Sequence, residues 1–366
     1  MIKKILFLYL NAFSVTGGIE KFNKAFMKAL QDISNEGLIK YETFAAYDNE
    51  SDIRYVASEN YKGFKGRKYS FAFKSITAAL KADTVVAGHI NLAPIALIIK
   101  LLRPQVRVIL IAHGVEVWEK LPFIKNLFIK KTDLIFAVSS FTKNKIVEEQ
   151  KISEEKIKIL YNTIDPFFKI PEKLEKPEYL LKRYNLTKET KILMTVGRIS
   201  DKEGHKGYDK VINILPEVLN HNSSLVYILA GKYDENEKLR VMKLVEEKKL
   251  NNNFILTGYI EDEELTDHYL LADIFAMPST QEGFGIVFLE ALACGLPVIA
   301  GNKDGSVDAL LNGKIGKLVD PYNNHELSDA IIGLLNNPKT DHRDLVLENF
   351  GFDQFKKRLR TMLIEN

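Results

Sequence analysis

The chain has 366 residues, 46% of them hydrophobic and 27% charged, which is the composition of an ordinary globular protein at a length typical of two domains. Its single cysteine, Cys294, excludes an internal disulfide and is predicted to be a packed, inert thiol. The net charge of +3 is unevenly distributed: residues 1–165 carry 25 Lys and Arg against 17 Asp and Glu (+8), and residues 166–366 carry 26 against 31 (−5).

The apolar run at residues 1–10 superficially resembles a signal peptide. It is too short, and it stops at Asn11 without a small-residue cleavage pattern, so it predicts a buried first strand instead. No segment of the sequence is long enough to cross a bilayer. We therefore expect a cytoplasmic protein.

Short apolar runs alternate with amphipathic helical patterns along the chain. The predicted strands are 3–10, 41–46, 84–88, 106–112, 133–138, 157–160, 191–196, 224–230, 253–257, 273–277, 297–300 and 317–319. The predicted helices include 19–31, 93–102, 207–219, 235–249, 261–271 and 286–294. Strands that are apolar throughout indicate parallel sheets covered by helices on both faces. A segment rich in Pro, Lys and Glu, 165–177, separates two doubly wound domains, whose ligands should bind beyond the carboxyl ends of the strands.

Two segments of the basic half, 61–74 and 120–131, mix basic with aromatic and aliphatic residues. This pattern suits an anionic membrane surface or a solvated helix face, and both interpretations stay open. Nucleic acid is not an expected partner, because no known nucleic-acid motif accompanies the charge. The membrane hypothesis assigns lipid attraction to Lys62, Lys65, Arg67, Lys68, Lys125, Lys130 and Lys131, and shallow insertion to Phe64, Phe71, Phe123 and Phe128.

Three predicted strands of the first half are followed by residues suited to a ligand. Gly17 and Gly18 form a glycine-rich turn at a helix start, which can admit a phosphate but lacks the full dinucleotide fingerprint. His113 directly follows strand 106–112 and is either a hydrogen-bonding partner for a ligand hydroxyl or a structural histidine. Asn162 follows strand 157–160.

In the second half, Arg198 follows the strand 191–196 and Lys206 precedes the next helix. Two cations from one loop suit a diphosphate, although a solvated loop is the alternative. Further on, Glu282 and Glu290 stand on either side of a glycine-flanked turn that leads into an apolar helix. Carboxylates can accept hydrogen bonds from the hydroxyl groups of a ligand, and the start of a helix favours a phosphate. The alternative is that the acidic residues only complement the helix dipole. No metal-ligand spacing is found.

These pieces together resemble the retaining nucleotide-sugar glycosyltransferases of family 4, which have the GT-B architecture of two Rossmann-like doubly wound domains facing across a cleft. The resemblance covers nearly the whole chain and is strongest over 191–320. Its motifs are Gly17-Gly18, His113-Gly114, Gly197-Arg198 with Lys206-Gly207, the element from Glu282 to Glu290, and Asp304-Gly305-Ser306.

The resemblance implies a role for each matching residue. Glu282 would hold the transferred sugar, the amides of Phe284 and Gly285 would contact the sugar or the diphosphate, and Glu290 would accept hydrogen bonds from the ribose hydroxyls. Arg198 and Lys206 would neutralise the leaving diphosphate. Gly17 and Gly18 would let the first domain approach that diphosphate, and His113 would touch the sugar. It also implies an acceptor-side domain at 1–164, a nucleotide-sugar domain at 165–351, and a last helix, about 352–366, that packs back on the first domain.

The implied reaction is retaining transfer of a hexose to a glycan or lipid-linked saccharide in surface polysaccharide or glycolipid synthesis. The contexts of Lys206 and of Asp304 favour GDP-mannose over a UDP-hexose as donor. No metal or other cofactor is expected, because the two cations suit the leaving group and the nucleotide-sugar is a substrate. The alternatives are a sugar-nucleotide epimerase of the same architecture and a non-catalytic nucleotide-sugar-binding protein. Acceptor-dependent release of nucleoside diphosphate would distinguish transfer from both.

Overall fold

A computed structural model describes residues 2–337 and 341–364. The chain divides into two compact units, the first comprising Met1–Pro166 with Phe350–Asn366 and the second Phe167–Asn349. The domain boundaries expected from the resemblance, after 164 and after 351, each differ from these by two residues. Of the predicted last helix, 365 and 366 lie outside the described residues.

The first unit contains a seven-stranded parallel sheet in the order β3-β2-β1-β4-β5-β6-β7. Its strands are β1 (Lys3–Tyr9), β2 (Ile39–Ala45), β3 (Tyr61–Gly63), β4 (Thr84–Ala87), β5 (Arg107–Ala112), β6 (Leu134–Ala137) and β7 (Ile157–Ile159). The helices between them are α1 (Gly18–Asn35), α2 (Lys68–Ala79), α3 (Ala93–Leu102), α4 (Phe123–Lys131) and α5 (Ser140–Gln150). The central strands are apolar throughout because helices cover both faces: Leu6 and Leu8 join the core under α2 to α4, whereas Phe7 packs on Phe26 of α1.

The second unit repeats this design with a six-stranded parallel sheet in the order β10-β9-β8-β11-β12-β13. Its strands are β8 (Ile192–Val196), β9 (Val226–Ala230), β10 (Phe254–Gly258), β11 (Ile274–Met277), β12 (Val298–Gly301) and β13 (Lys317–Val319). Its helices are α6 (Glu178–Arg183), α7 (Tyr208–His221), α8 (Glu235–Glu247), α9 (Asp262–Leu271), α10 (Ile286–Ala293), α11 (Ser306–Ala309), α12 (Asn324–Asn336) and α13 (Arg343–Phe350). Burial raises the pKa of the Cys294 thiol, in line with its predicted role as an inert packed group.

Both sheets reverse their strand order at one point, and this positions the candidate site. In the first unit the chain proceeds outward from β1 to β3 and then returns to β4 on the other side of β1; in the second it does the same from β8 to β10 and back to β11. In such sheets ligands bind beyond the carboxyl ends of the strands at the reversal. The predicted fold class of two Rossmann-like, doubly wound units is confirmed.

The first unit is completed by a helix from the far end of the chain, α14 (Phe352–Ile364). Phe355 of α14 stacks edge-on against Phe22 of α1, with the ring centroids 5.6 Å apart. Lys3 Nζ donates hydrogen bonds to the carbonyl oxygens of Leu363 and Ile364 at 3.1 and 2.9 Å. The first unit is therefore built from two separate stretches of sequence.

Three of the four phenylalanines that the membrane hypothesis assigned to lipid lie in the core. Phe64, Phe71 and Phe128 are 1–3% exposed, and only Phe123, at 80%, lies outside. The prediction that these three insert is wrong. For Phe64 and Phe71 the reason is the short strand β3, which the sequence pattern did not indicate: it brings Phe64 onto Phe44, and α2 then begins at Lys68 in a register that turns Phe71 inward. Phe128 lies on the core side of α4.

No helix within residues 2–337 and 341–364 is both long and apolar enough to cross a bilayer.

Candidate active site

Lys206 lies along the backbone at the carboxyl end of β8. Its side chain is 16% exposed, and a Cβ atom on Gly197 would lie only 2.9 Å from Lys206 Cδ, so the aliphatic part of the lysine needs glycine beneath it. Gly207 follows with a φ of +81°, and a Cβ there would collide with the carbonyl oxygen of Pro278. Two glycines thus fix the position of the lysine between β8 and α7.

The loop after β11 presents Glu282 beside this lysine. Glu282 Oε2 accepts a hydrogen bond from Lys206 Nζ at 3.2 Å, and Glu203 Oε2 lies 3.5 Å from the same nitrogen. Burial by itself would lower the pKa of Lys206, but the two carboxylates outweigh it and raise the pKa above its usual value. The lysine is therefore a cation at neutral pH, held next to a carboxylate.

The glycine-flanked turn continues from Glu282 into α10. Gly285 precedes the helix with a φ of +91°, where a Cβ would come within 2.3 Å of the Phe288 ring, so only glycine fits. The side chain of Phe284 is 1% exposed and packs inside. Arg198, directly after β8 and Gly197, is an exposed residue of the same carboxyl edge. The structure thus places Arg198, Lys206, Glu282 and Gly285 beyond two neighbouring strands, β8 and β11.

Glu290 lies deeper than Glu282. It is fully buried on α10, and its Oε2 accepts a hydrogen bond from the Tyr269 hydroxyl at 3.0 Å. Burial, followed by the charge of Glu290, raises the pKa of Tyr269, so the phenol keeps its proton and remains a donor. The assignment of Glu290 to ribose binding stays a prediction.

Asp304 holds the Glu282 loop in position, a role that the sequence pattern did not assign. It is fully buried after β12, and it accepts hydrogen bonds from Ser279 Oγ at 2.7 Å, from the Glu282 amide at 2.7 Å and from the Ser306 amide at 3.0 Å. The Gly305 amide donates back to the Glu282 carbonyl at 2.8 Å. Burial raises the pKa of Asp304, although the hydrogen bonds act in the opposite direction. The available signal was an Asp-Gly-Ser motif directly after a predicted strand.

In the first unit, Gly17 and Gly18 begin α1 beyond β1. A Cβ on Gly17 would lie 2.5 Å from a Glu20 carboxylate oxygen, whereas one on Gly18 would have no atom within 4 Å. The preceding turn is organised by the buried Asp48, which accepts hydrogen bonds from the amides of Ala12, Phe13 and Ser14 at 2.6–3.2 Å. This role was not indicated by the sequence pattern, because Asp48 follows another strand, β2. The turn is thereby fixed with open space in front of Gly18.

His113 lies at the carboxyl end of β5 and is 9% exposed. Its Nε2 lies 2.9 Å from the carbonyl oxygen of Gly88, which can only accept, so Nε2 carries the proton and Nδ1 is an acceptor. Burial lowers the pKa of His113 to about 4, and the ring is neutral at physiological pH. Phe22 of α1 contacts the ring edge-on at 5.1 Å, and His89, after β4, stacks on it at 6.3 Å.

Asn162, the other polar residue singled out in the first half, is 8% exposed, and its side-chain oxygen Oδ1 has no hydrogen-bond partner. Among residues 2–337 and 341–364, no group of three or more His, Cys, Asp or Glu side chains is arranged to hold a metal ion.

Two parallel-sheet units of this kind define the GT-B class of glycosyltransferase folds. The whole chain superposes on the crystal structure of HepE from Anabaena in complex with UDP, with a TM-score of 0.75, 18% identity and coverage of 99% of this chain and 100% of that one. It also superposes on a sucrose-phosphate synthase from Thermosynechococcus elongatus, with a TM-score of 0.76, 19% identity and coverage of 98% of each. At these identities the likeness establishes the fold alone.

Two family models match the two units in turn: Glycosyltransferase Family 4 over residues 17–167 and Glycosyl transferases group 1 over residues 178–344. The chain belongs to this family of group 1, family 4 glycosyltransferases.

Named relatives include a GDP-mannose-dependent alpha-(1-6)-phosphatidylinositol monomannoside mannosyltransferase of Mycobacterium tuberculosis, 32% identical over 240 residues. That match covers 63% of this chain and 60% of the relative's own length. A GDP-mannose-dependent monoacylated alpha-(1-6)-phosphatidylinositol monomannoside mannosyltransferase of Corynebacterium glutamicum is 26% identical over 343 residues, covering 88% of this chain and 86% of the relative.

Proposed function

We propose that the protein transfers a hexose from a nucleotide-sugar to a glycan or lipid-linked saccharide with retention of anomeric configuration. The observation that carries this proposal is the Lys206 ammonium held 3.2 Å from the Glu282 carboxylate at the strand-order reversal of the second unit. A carboxylate recognises sugar hydroxyls, and a cation beside it recognises the adjoining phosphate. A nucleotide-sugar presents these two groups next to each other.

Departure of the nucleoside diphosphate breaks the bond between the anomeric carbon and the phosphate oxygen, so negative charge grows on that oxygen. Fixed cations at Lys206 and Arg198 stabilise this charge more in the transition state than in the ground state. Because Lys206 is already positioned by Gly197 and Gly207, little reorganisation accompanies the reaction. With these cations in place, the proposed reaction uses no metal ion.

The acceptor hydroxyl then attacks the same face that the phosphate leaves. A new carbon–oxygen bond replaces the broken one, and the acceptor proton passes to the leaving phosphate oxygen. Glu282 is engaged with Lys206 and serves as a sugar ligand rather than as a covalent nucleophile. Neutral His113, whose Nδ1 accepts, is suited to bind a sugar hydroxyl without adding charge.

GDP-mannose is the favoured donor, with a UDP-hexose next. The mycobacterial and corynebacterial relatives are GDP-mannose-dependent phosphatidylinositol monomannoside mannosyltransferases, which supports GDP-mannose as donor and a phosphatidylinositol-type acceptor. Because the HepE structure contains UDP, UDP-hexoses are tested as the second class of donor.

The experiment is a panel of nucleotide-sugars scored by thermal shift and by slow donor hydrolysis, followed by transfer to candidate acceptors. We expect GDP-mannose to give the largest thermal shift. We also expect the NMR coupling at the anomeric position of the product to show the same anomeric configuration as in the donor. An inverted product would refute retention. Conversion of the donor sugar without any acceptor would indicate an epimerase, and binding without turnover for every donor and acceptor would indicate a binding protein.

A further inference from the structure

Three adjacent helices of the first unit, α2, α3 and α4, expose a set of large apolar side chains to solvent. The helices pack side by side over the same face of the sheet. We call the exposed residues the outer apolar set: Tyr69, Phe73, Leu80, Ile98, Leu101, Leu102, Phe123, Ile124 and Leu127. Tyr69 is 94% exposed and Phe123 80%, so these rings make little contact with the protein. Exposed apolar residues so concentrated mark a surface that binds something.

The spacing within each helix shows that the set forms an outward face. Tyr69 and Phe73 stand four residues apart on α2, and the intervening Phe71 is buried. On α4, Phe123 and Leu127 show the same spacing, whereas Phe128 faces the core. Residues three or four apart lie on one side of a helix, so each helix has an inner apolar side for the core and an outer apolar side in water.

The charges on these helices are mainly positive, although Asp133 pairs with Lys100 and Asp83 lies 4.0 Å from Arg103. The segments 61–82, 93–108 and 120–132 contain six, three and four Lys or Arg residues, respectively, and no Asp or Glu. An ordinary solvated helix face mixes both signs, because like charges repel each other. The exposed basic residues of these segments are Lys62, Lys65, Arg67, Lys68, Lys74, Lys81, Lys120, Lys130 and Lys131.

We propose that the outer face of α2, α3 and α4 docks on the surface of an anionic lipid bilayer. The outer apolar set enters the interface between headgroups and acyl chains, and the surrounding lysines contact lipid phosphates. Two of the phenylalanines first assigned to this role by sequence are replaced by neighbours: Tyr69 and Phe73 insert in place of Phe64 and Phe71. A second copy of this chain that met the face with its own identical face would bring like charges together. The docking does not depend on the proposed transfer reaction.

The test is vesicle flotation with the whole chain and two matched pairs of variants. The apolar test variant is Phe73→Ser with Phe123→Ser, and its control is Ile53→Ser with Leu239→Ser, whose side chains are 78% and 66% exposed outside the three helices. The basic test variant is Lys68→Gln with Lys131→Gln, and its control is Lys188→Gln with Lys243→Gln in the second unit, whose side chains are 67% and 77% exposed. Vesicles contain phosphatidylcholine alone or mixed with phosphatidylglycerol, at low and high salt.

We expect wild type and both controls to float with mixed vesicles at low salt and to be released by high salt, because screening shortens the reach of the charges. The basic variant should lose about fivefold in partitioning for each lysine removed, and the apolar variant should lose at least as much. Donor hydrolysis should stay unchanged in all variants, which separates docking from catalysis.

Three results would overturn the proposal. One is the absence of binding to mixed vesicles at low salt. The second is equal loss of binding in the test and control variants. The third is a lipid-free wild type that sedimentation velocity shows to be a dimer while the apolar variant is a monomer, because the face would then be covered by a second copy.

Discussion

The two units share one architecture but place different chemistry at the strand-order reversal. In the second unit this edge is charged: Lys206 lies against Glu282 and Glu203, and the buried Asp304 fixes the loop. In the first unit the ring of His113 is neutral and open space lies before Gly18, and the charge nearest to them is the Glu20 carboxylate beside Gly17. In the proposed reaction, charge develops at the edge of the second unit, where fixed countercharges lie, and hydroxyl groups are recognised at the edge of the first unit, which offers a neutral acceptor and space.

The strongest test of this contrast is Glu282→Gln. We expect a loss of transfer on the order of 10³-fold, because the carboxylate is replaced by an amide at the sugar. Glu203→Gln is the matched control, since Glu203 also lies beside Lys206 but is not assigned to the sugar. Steady-state transfer and melting temperature should be measured together. Full activity in Glu282→Gln at an unchanged melting temperature would remove this residue from the site.

Lys206→Ala and Arg198→Ala should each reduce turnover with saturating donor by about 10²-fold, because each removes a cation from the leaving phosphate. The control is Lys243→Ala, whose side chain is 77% exposed and lies 3.9 Å from Glu247, and it should be neutral. If either site variant kept wild-type turnover, its role at the leaving group would be refuted.

Asp304→Asn should reduce activity by roughly tenfold and the free energy of unfolding by about 1–3 kcal/mol, because one buried hydrogen-bond donor would lose its acceptor. Since Asp304 acts through the Glu282 loop, the KM for the nucleotide-sugar should rise while the affinity for free nucleoside diphosphate stays unchanged. Ser279→Ala, which leaves both amide hydrogen bonds intact, should have the smaller effect. An equal loss of nucleotide affinity would indicate a general structural defect instead.

In the first unit, His113 should make the protein sensitive to acid. Its folded pKa of about 4 lies below its ordinary value of 6.5, so the unfolded chain binds the proton first, and stability is full above pH 6.5 and falls as the pH approaches 4. Between pH 6.5 and 4, the free energy of unfolding measured in urea should fall less in His113→Gln than in wild type, by on the order of 2–3 kcal/mol. Identical pH profiles for variant and wild type would contradict the neutral, buried histidine.

The smallest expected effect is that of a chelator. If Lys206 and Arg198 provide the positive charge, transfer should be unchanged in excess EDTA. Loss of activity that magnesium or manganese restores would show that the charged edge of the second unit is incomplete without a metal ion.

The fold could be read from the sequence because buried parallel strands are apolar throughout and alternate with helices, a pattern that survives small errors in element boundaries. Lys206 and Glu282 could also be named, since a lysine before a helix and a carboxylate at a glycine turn are local signals. What could not be read was support from distant strands. Asp304 and Asp48 each hold a loop that follows a different strand of their own sheet, and only the folded sheet brings each aspartate to its loop.

The sequence also could not predict which aromatic residues of 61–74 face the core and which face solvent. It depends on a three-residue strand and on the residue at which α2 begins, and a shift of one position changes which ring faces the core. The face proposed for lipid binding therefore needed the structure, even though its excess of lysine was visible from the start.

The return of α14 onto α1 also constrains how the protein is made. On the ribosome, the strands of the first unit emerge early, but Phe22 gains its partner Phe355 only after the second unit, Phe167–Asn349, has been synthesised. At about 5–20 residues per second this leaves the first sheet without its closing helix for about 10–40 s. During that interval the part of α1 around Phe22 lacks the cover that Phe355 later provides, and it offers an apolar surface that a nascent-chain chaperone can bind.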